Sequence, residues 1–425
     1  MNRSRLRIVV GATAAAAIAS GSAVTTASAP PPTDPTETTE HMMAEESMSA
    51  TPVESGAATL RAGLTSLLQE HVYLAGAAIS TAVSAGGDMQ APEVVSAVDT
   101  LDANSVALSE AVGSIYGAEA GEQFLALWRA HIGFFVDYTL GGATGDTAAQ
   151  DAARQQLDDY RADFGAFIES ATGGALPADA VAANLQVHVN TLIMAIDAVL
   201  AGSPDAYTLL QAAASHMPGT ALALSGAIAT QMPDQFDGDP AGPASEMRSG
   251  LTHLLQEHVY LAGLAINQAV ADGGDLEAPA TANAVAALDA NSVALSEAIA
   301  SLYGAEAGEQ FLALWRAHIG FFVDYTLGGA TGDTAAQDAA RQQLDDYRAD
   351  FGAFIESATG GALPADAVAA NLQVHVDTLI TAIDAVLAGS PDVFPALRTA
   401  AGHMPGTALA LATAIAAQMP DRFGS

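Results

Sequence analysis

Residues 116–189 recur without a change at 303–376, a fixed offset of 187, and weaker similarity extends to both ends of the repeat. A period this long holds a whole domain, because solenoid units run to about 20–50 residues and bury their faces only against neighbours. The chain therefore divides into two tandem copies, 56–236 and 247–425, each long enough for a hydrophobic core and each expected to fold alone. The stretch 30–55 is rich in Pro, Thr, Glu and Ser and reads as a disordered linker; a run of Pro, Gly and Asp at 237–246 reads as a second.

Ahead of the copies, Arg3, Arg5 and Arg7 precede an apolar run from Ile8 through Val24, and Ala27-Ser28-Ala29 has the small-residue pattern of a cleavage site. Residues 1–29 are therefore expected to be a secretory signal, which places the mature chain at the cell exterior. Pro30 disfavours a cut just before it and points to an earlier one near Ala23; left uncleaved, the run would anchor the chain. No later segment reads as a membrane span.

Cysteine is absent, which excludes disulfides, thiolate metal sites, a cysteine nucleophile and covalent haem attachment. All 13 basic residues are arginine, against 48 acids, for a net charge of −35. Nucleic acid and anionic membrane surfaces, which need phosphates neutralised by cations, are excluded as partners. The composition leaves a protein partner undefined.

Inside a copy, apolar periodicity of the helical kind is punctuated by Gly, Pro and Asp, with no alternating segment. Six helices are expected in the first copy, near 57–84, 92–116, 118–140, 147–171, 177–201 and 204–232. Pro92, Pro177 and Pro204 suit first turns. Leu60, Leu64, Leu67, Leu74 and Ala78 share a face, as do Phe124, Leu127, Phe135 and Tyr138, and Leu185, Leu192 and Ala195. The fold class is all-α: two tandem copies of an antiparallel bundle of about six helices. Pro218 should kink or restart the sixth helix at His216-Met217-Pro218-Gly219.

Polar residues interrupt these stripes. His71, His131, His188 and His216 fall on core-facing stripes of four different helices, each near a midpoint, with Asn104 on a fifth. The second copy repeats the set as His258, His318, His375 and His403, with Asn291. Helices of similar length packed up and down bring their midpoints to one height, so each set is expected to converge in one layer. A buried imidazole without a partner costs about 1–3 kcal/mol, and shared metal ligation would satisfy several at once. A site of nitrogen donors alone suits Cu(II), Zn(II) or Ni(II), and Met217 and Met404 offer a soft ligand for Cu(I). Asn104, Asp137, Asn291 and Asp324 are candidates for a supporting outer layer. Haem held between two histidines is a further option. The competing account is a polar layer that only fixes helix packing.

The paired Glu-x-x-His motifs of di-iron bundles are missing, as are a Gly-x-Ser-x-Gly elbow, a phosphate loop and a His-Glu-x-x-His helix. Without a nucleophile or an acid/base pair, catalysis could only be borne by a metal, and a non-enzymatic role is favoured.

The run from Trp128 to Tyr138, Trp-Arg-Ala-His-Ile-Gly-Phe-Phe-Val-Asp-Tyr, together with Glu70-His71, Gln186-Val187-His188-Val189 and His216-Met217, resembles exported tandem helical-repeat proteins of Gram-positive bacteria. Members of that group are often labelled copper amine oxidase-like. The resemblance covers both copies but not the linkers, and implies a duplicated helical export architecture with a tilt towards copper. The oxidase label fits poorly, since those enzymes build a quinone from an Asn-Tyr-Asp/Glu motif and no Asn-Tyr pair occurs here.

Overall fold

A computed structural model describes residues 51–424, so the expected signal and most of the first linker lie outside the described residues. All regular structure in 51–424 is helical. The first copy contains α1 (Gly56–Ser84), α2 (Pro92–Tyr116), α3 (Ala118–Thr144), α4 (Thr147–Ala171), α5 (Ala178–Leu200), α6 (Ala206–Ala214) and α7 (Met217–Gln231). The second contains α8 (Pro243–Ala271), α9 (Pro279–Tyr303), α10 (Ala305–Thr331), α11 (Thr334–Ala358), α12 (Ala365–Leu387), α13 (Val393–Gly402), α14 (Met404–Gln418) and the short α15 (Pro420–Phe423).

Local chemistry accounts for the boundaries. Ser55 caps α1 by accepting from Ala58 N at 3.2 Å, and Asp146 caps α4 by accepting from Ala149 N at 3.0 Å. Pro92 sits in the first turn of α2 as expected, but Pro177 is the residue before α5 and Pro204 lies in the turn ahead of α6. Gly145 ends α3 at φ 69°, a left-handed conformation that suits glycine. The expected sixth helix is broken in two at Ser215-His216, where Pro218 cannot continue the hydrogen-bond ladder.

Helices α1 to α6 and α8 to α13 pack in succession, and α7 closes on α1 as α14 does on α8. Gly165 permits the close approach of α4 to the start of α5, because a Cβ there would lie 2.5 Å from the Ala178 carbonyl oxygen. Gly165→Ala is expected to cost about 1–3 kcal/mol through this overlap, read as a lower urea midpoint.

The copies share much of their core, although Ile266, Phe322, Leu344 and Leu379 belong to a smaller cluster within the second copy. The largest apolar cluster runs through both, and α1 packs along α8. From Leu68 to Ile79 every residue of α1 is buried, Gln69 and Glu70 included. Between the copies, Tyr73 Oη donates to Glu257 Oε2 and Tyr260 Oη to Glu70 Oε2, both at 3.0 Å, and the two rings stack with centroids 5.4 Å apart.

The described residues of both expected linkers make specific contacts. Val53, in a 3-10 turn at Pro52–Glu54, is fully buried. Asp237 accepts from Gly56 N and Ala57 N, the Pro240 carbonyl accepts from Arg61, and α8 already begins at Pro243. A turn-like composition does not reveal that helix N-terminal amides and a buried arginine wait to bind it.

Two later helices, α5 and α9, reach the length and mean hydropathy (1.2) of a membrane span, contrary to expectation. Part of that apolarity serves packing: Leu192 and Ile196 of α5 and Leu288 and Leu295 of α9 are buried.

Candidate metal centre

His71 lies on α1, His131 on α3 and His188 on α5, and the protein buries all three. One ring nitrogen from each falls within 4.8 Å of the others, and His258, His318 and His375 form the same arrangement in the second copy. The Nε2 atoms of His71 and His131 are 3.3 Å apart, and those of His258 and His318 are 3.2 Å apart. Nitrogens bound at about 2.0–2.1 Å around a tetrahedral metal stand about 3.3–3.4 Å from each other, so this edge already has the size of a coordination edge. The third imidazole, with a nitrogen within 4.8 Å of the others, would close by at most about 1.5 Å to complete it.

The fourth histidine of each set lies beside the cluster. His216 precedes the first turn of α7, half-buried, with its ring centroid 5.6 Å from that of His188 but outside the group of three; His403 stands likewise 5.7 Å from His375. The break between α6 and α7 sets this position. Met217 and Met404 are buried in the apolar core.

The expected outer layer is mostly elsewhere. Asn104 donates to Glu70 Oε1 (3.0 Å) and the Leu67 carbonyl, and Asn291 to Glu257 Oε1 (3.2 Å) and the Leu254 carbonyl, so each braces a carboxylate that itself reaches the other copy. Asp137 and Asp324 are exposed, as six residues from a buried histidine turns a helical side chain well away from it.

The immediate surroundings are aromatic. Trp128 lies edge-on to His131 with centroids 4.6 Å apart and 4.8 Å from His71, while Tyr160 stacks on His131 at 5.2 Å. Tyr160 and its counterpart Tyr347 were not singled out from the sequence. The signal was the α4 stripe Leu157, Tyr160, Phe164, which places the ring on the core side.

This environment keeps the imidazoles neutral. Burial lowers the pKa of His131 to about 3, helped by His188 and partly offset by the carbonyls of Trp128 and Leu127; burial likewise brings that of His318 to about 3. Burial, then neighbouring histidines, also pushes His71, His188, His258 and His375 well down. Neutral rings can ligate a metal without first releasing a proton. The Nδ1 atoms of His71, His131 and His188 are buried without a hydrogen-bond partner, as are those of their three counterparts. No known protein family, curated protein or solved structure matches this chain.

Proposed function

We propose that this is an exported, non-enzymatic metal-binding protein built as two tandem antiparallel bundles, with one histidine site per copy. His71, His131 and His188 hold one ion and His258, His318 and His375 the other. The observation that carries the reading is the clustering of three neutral, buried imidazoles from three helices in each copy. Copper is the preferred ion: the donors are all nitrogen, and affinity for such a set peaks at Cu(II) in the divalent series. His216 and His403 stand close enough to approach as a fourth ligand after a small movement of the α6–α7 and α13–α14 breaks.

The second reading, a polar layer that fixes packing, is supported by the contact between His71 and His131 Nε2, which lets one neutral ring donate to the other. Metal analysis of protein purified without a chelating tag separates the two. About two equivalents of copper are expected per chain, falling by at least about a hundredfold in affinity when His131 and His318 are both changed to Ala. Protein that stays empty after exposure to copper, zinc or nickel would leave only the packing role. A haem spectrum would reassign the site.

A further inference from the structure

Beside the first copy's histidines lies a cavity of about 640 Å³ whose wall contains no charged side chain. Leu64, Leu108, Val112, Phe124, Phe167 and Leu224 supply much of it, and the exposed Thr59, Gly63 and Ser114 mark its rim. The volume is roughly four times the ~150 Å³ that takes up benzene in an apolar protein interior. It falls within the range of built small-molecule sites.

The polar groups on the wall are largely paired with one another or with the backbone. Thr220 donates to Asn184 (2.8 Å), Tyr116 to Gln231 (2.9 Å) and Thr172 to the Ile168 carbonyl (2.8 Å). His71 and His188 differ: both line the cavity, both are more than nine-tenths buried, and both keep an Nδ1 without a partner.

Three positions around the equivalent space are more buried in the second copy. Ile299 replaces Val112 and is buried, and Leu251, the counterpart of the half-buried Leu64, is buried too. Phe423 on α15 is buried, whereas its counterpart Phe236 is half-buried on the cavity wall. Arg422, where the first copy has Gln235, lies 5.1 Å from the Phe423 ring and reaches the Ser301 carbonyl at 3.5 Å. In the first copy the backbone around Asp237 is instead tied to the start of α1.

We propose that the first copy alone binds a neutral lipid-like molecule, a long hydrocarbon with one hydroxyl or carbonyl, whose chain fills this cavity and whose head meets His71 and His188. An anionic ligand is disfavoured, because the wall offers no cation and the chain carries a net charge of −35.

The chain has two tryptophans, Trp128 on this cavity and Trp315 at the matching place in the other copy, so each copy has its own reporter. Metal-free full-length protein is titrated with hexadecan-1-ol and, separately, with hexadecanoate. With Trp315→Phe, which leaves Trp128, emission should shift to the blue and saturate with the alcohol; with Trp128→Phe, which leaves Trp315, it should not change. Ala111→Phe, which projects a ring from the cavity wall, should weaken binding by about tenfold or more with helicity retained. Equal responses from both tryptophans, no response from either, or hexadecanoate binding as tightly as the alcohol would overturn the proposal. Because no metal is present, each of these outcomes is independent of the metal site.

Discussion

Metal-free protein is expected to lose stability steeply between pH 6.5 and pH 3, and changing His131 and His318 to Leu should flatten that loss. When folded, His131 and His318 bind a proton only near pH 3, against about 6.5 for an unfolded histidine. Below pH 6.5 the unfolded chain therefore takes up protons that the native one refuses. The stability from each neutral ring is complete above pH 6.5 and declines as pH falls through the window down to about 3. At pH 4 this amounts to roughly 3 kcal/mol for each of the two. His71, His188, His258 and His375 add to it in the same direction, since burial lowers each and a first charge in the cluster opposes a second. The 48 acids work the other way at low pH, because their protonation relieves mutual repulsion. The decisive quantity is thus the difference in urea midpoint between wild type and His131→Leu/His318→Leu, followed from pH 7.5 to pH 4. A constant difference would show that the histidines titrate alike in both states. Metal bound at the sites should shift the wild-type loss to lower pH, because acid and metal compete for the same nitrogens.

The second large effect is expected at the contact between the copies. Glu257→Ala removes the acceptor for Tyr73 Oη (3.0 Å), Gln211 Nε2 (2.8 Å) and Asn291 Nδ2 (3.2 Å). Tyr73 is fully buried and cannot turn to water, and burial beside this carboxylate holds its hydroxyl well above the usual phenol range, as a donor. Three donors stripped of their acceptor should cost about 3 kcal/mol or more. Glu70→Ala removes the corresponding acceptor for Tyr260, Asn104 and Arg398, whose Nε lies 2.7 Å from Glu70 Oε1. Equilibrium unfolding of the two single variants and the double variant forms a cycle. Because the carboxylates serve one stacked tyrosine pair, the losses should be non-additive, and the double variant should unfold in two steps as the copies part. Losses under about 0.5 kcal/mol would mean that water replaces the carboxylates and that the contact is not a buried network.

These two predictions concern residues that were unequally legible. His71, His131 and His188 could be placed in one layer from stripe position and helix length alone, because periodicity fixes the face of a helix and comparable lengths fix the height. His216 could not be placed so well. The break that Pro218 forces was readable, but the direction in which α7 leaves it depends on packing against α1. Glu70, next to His71 in the chain, lies off the histidine stripe. What covers it was hidden, because a carboxylate on the far side of a helix is ordinarily solvated and only a second packed body can bury it. The stripe of Asn104 faces α1, where its amide donates to Glu70 and to the Leu67 carbonyl.

Taken alone, the sequence determined the helical class, the duplication, the acidic surface and the faces on which the histidines stand. All of these follow from local periodicity, composition and identity between distant segments. Tertiary structure alone decided that α1 and α8 are buried against each other through paired Tyr and Glu residues, that three imidazoles of each four meet, and that the first copy keeps an apolar cavity of about 640 Å³ beside them. Those outcomes depend on how whole faces dock, where substitutions as small as Val112 against Ile299 and Gln235 against Arg422 accompany the different burial around the same space.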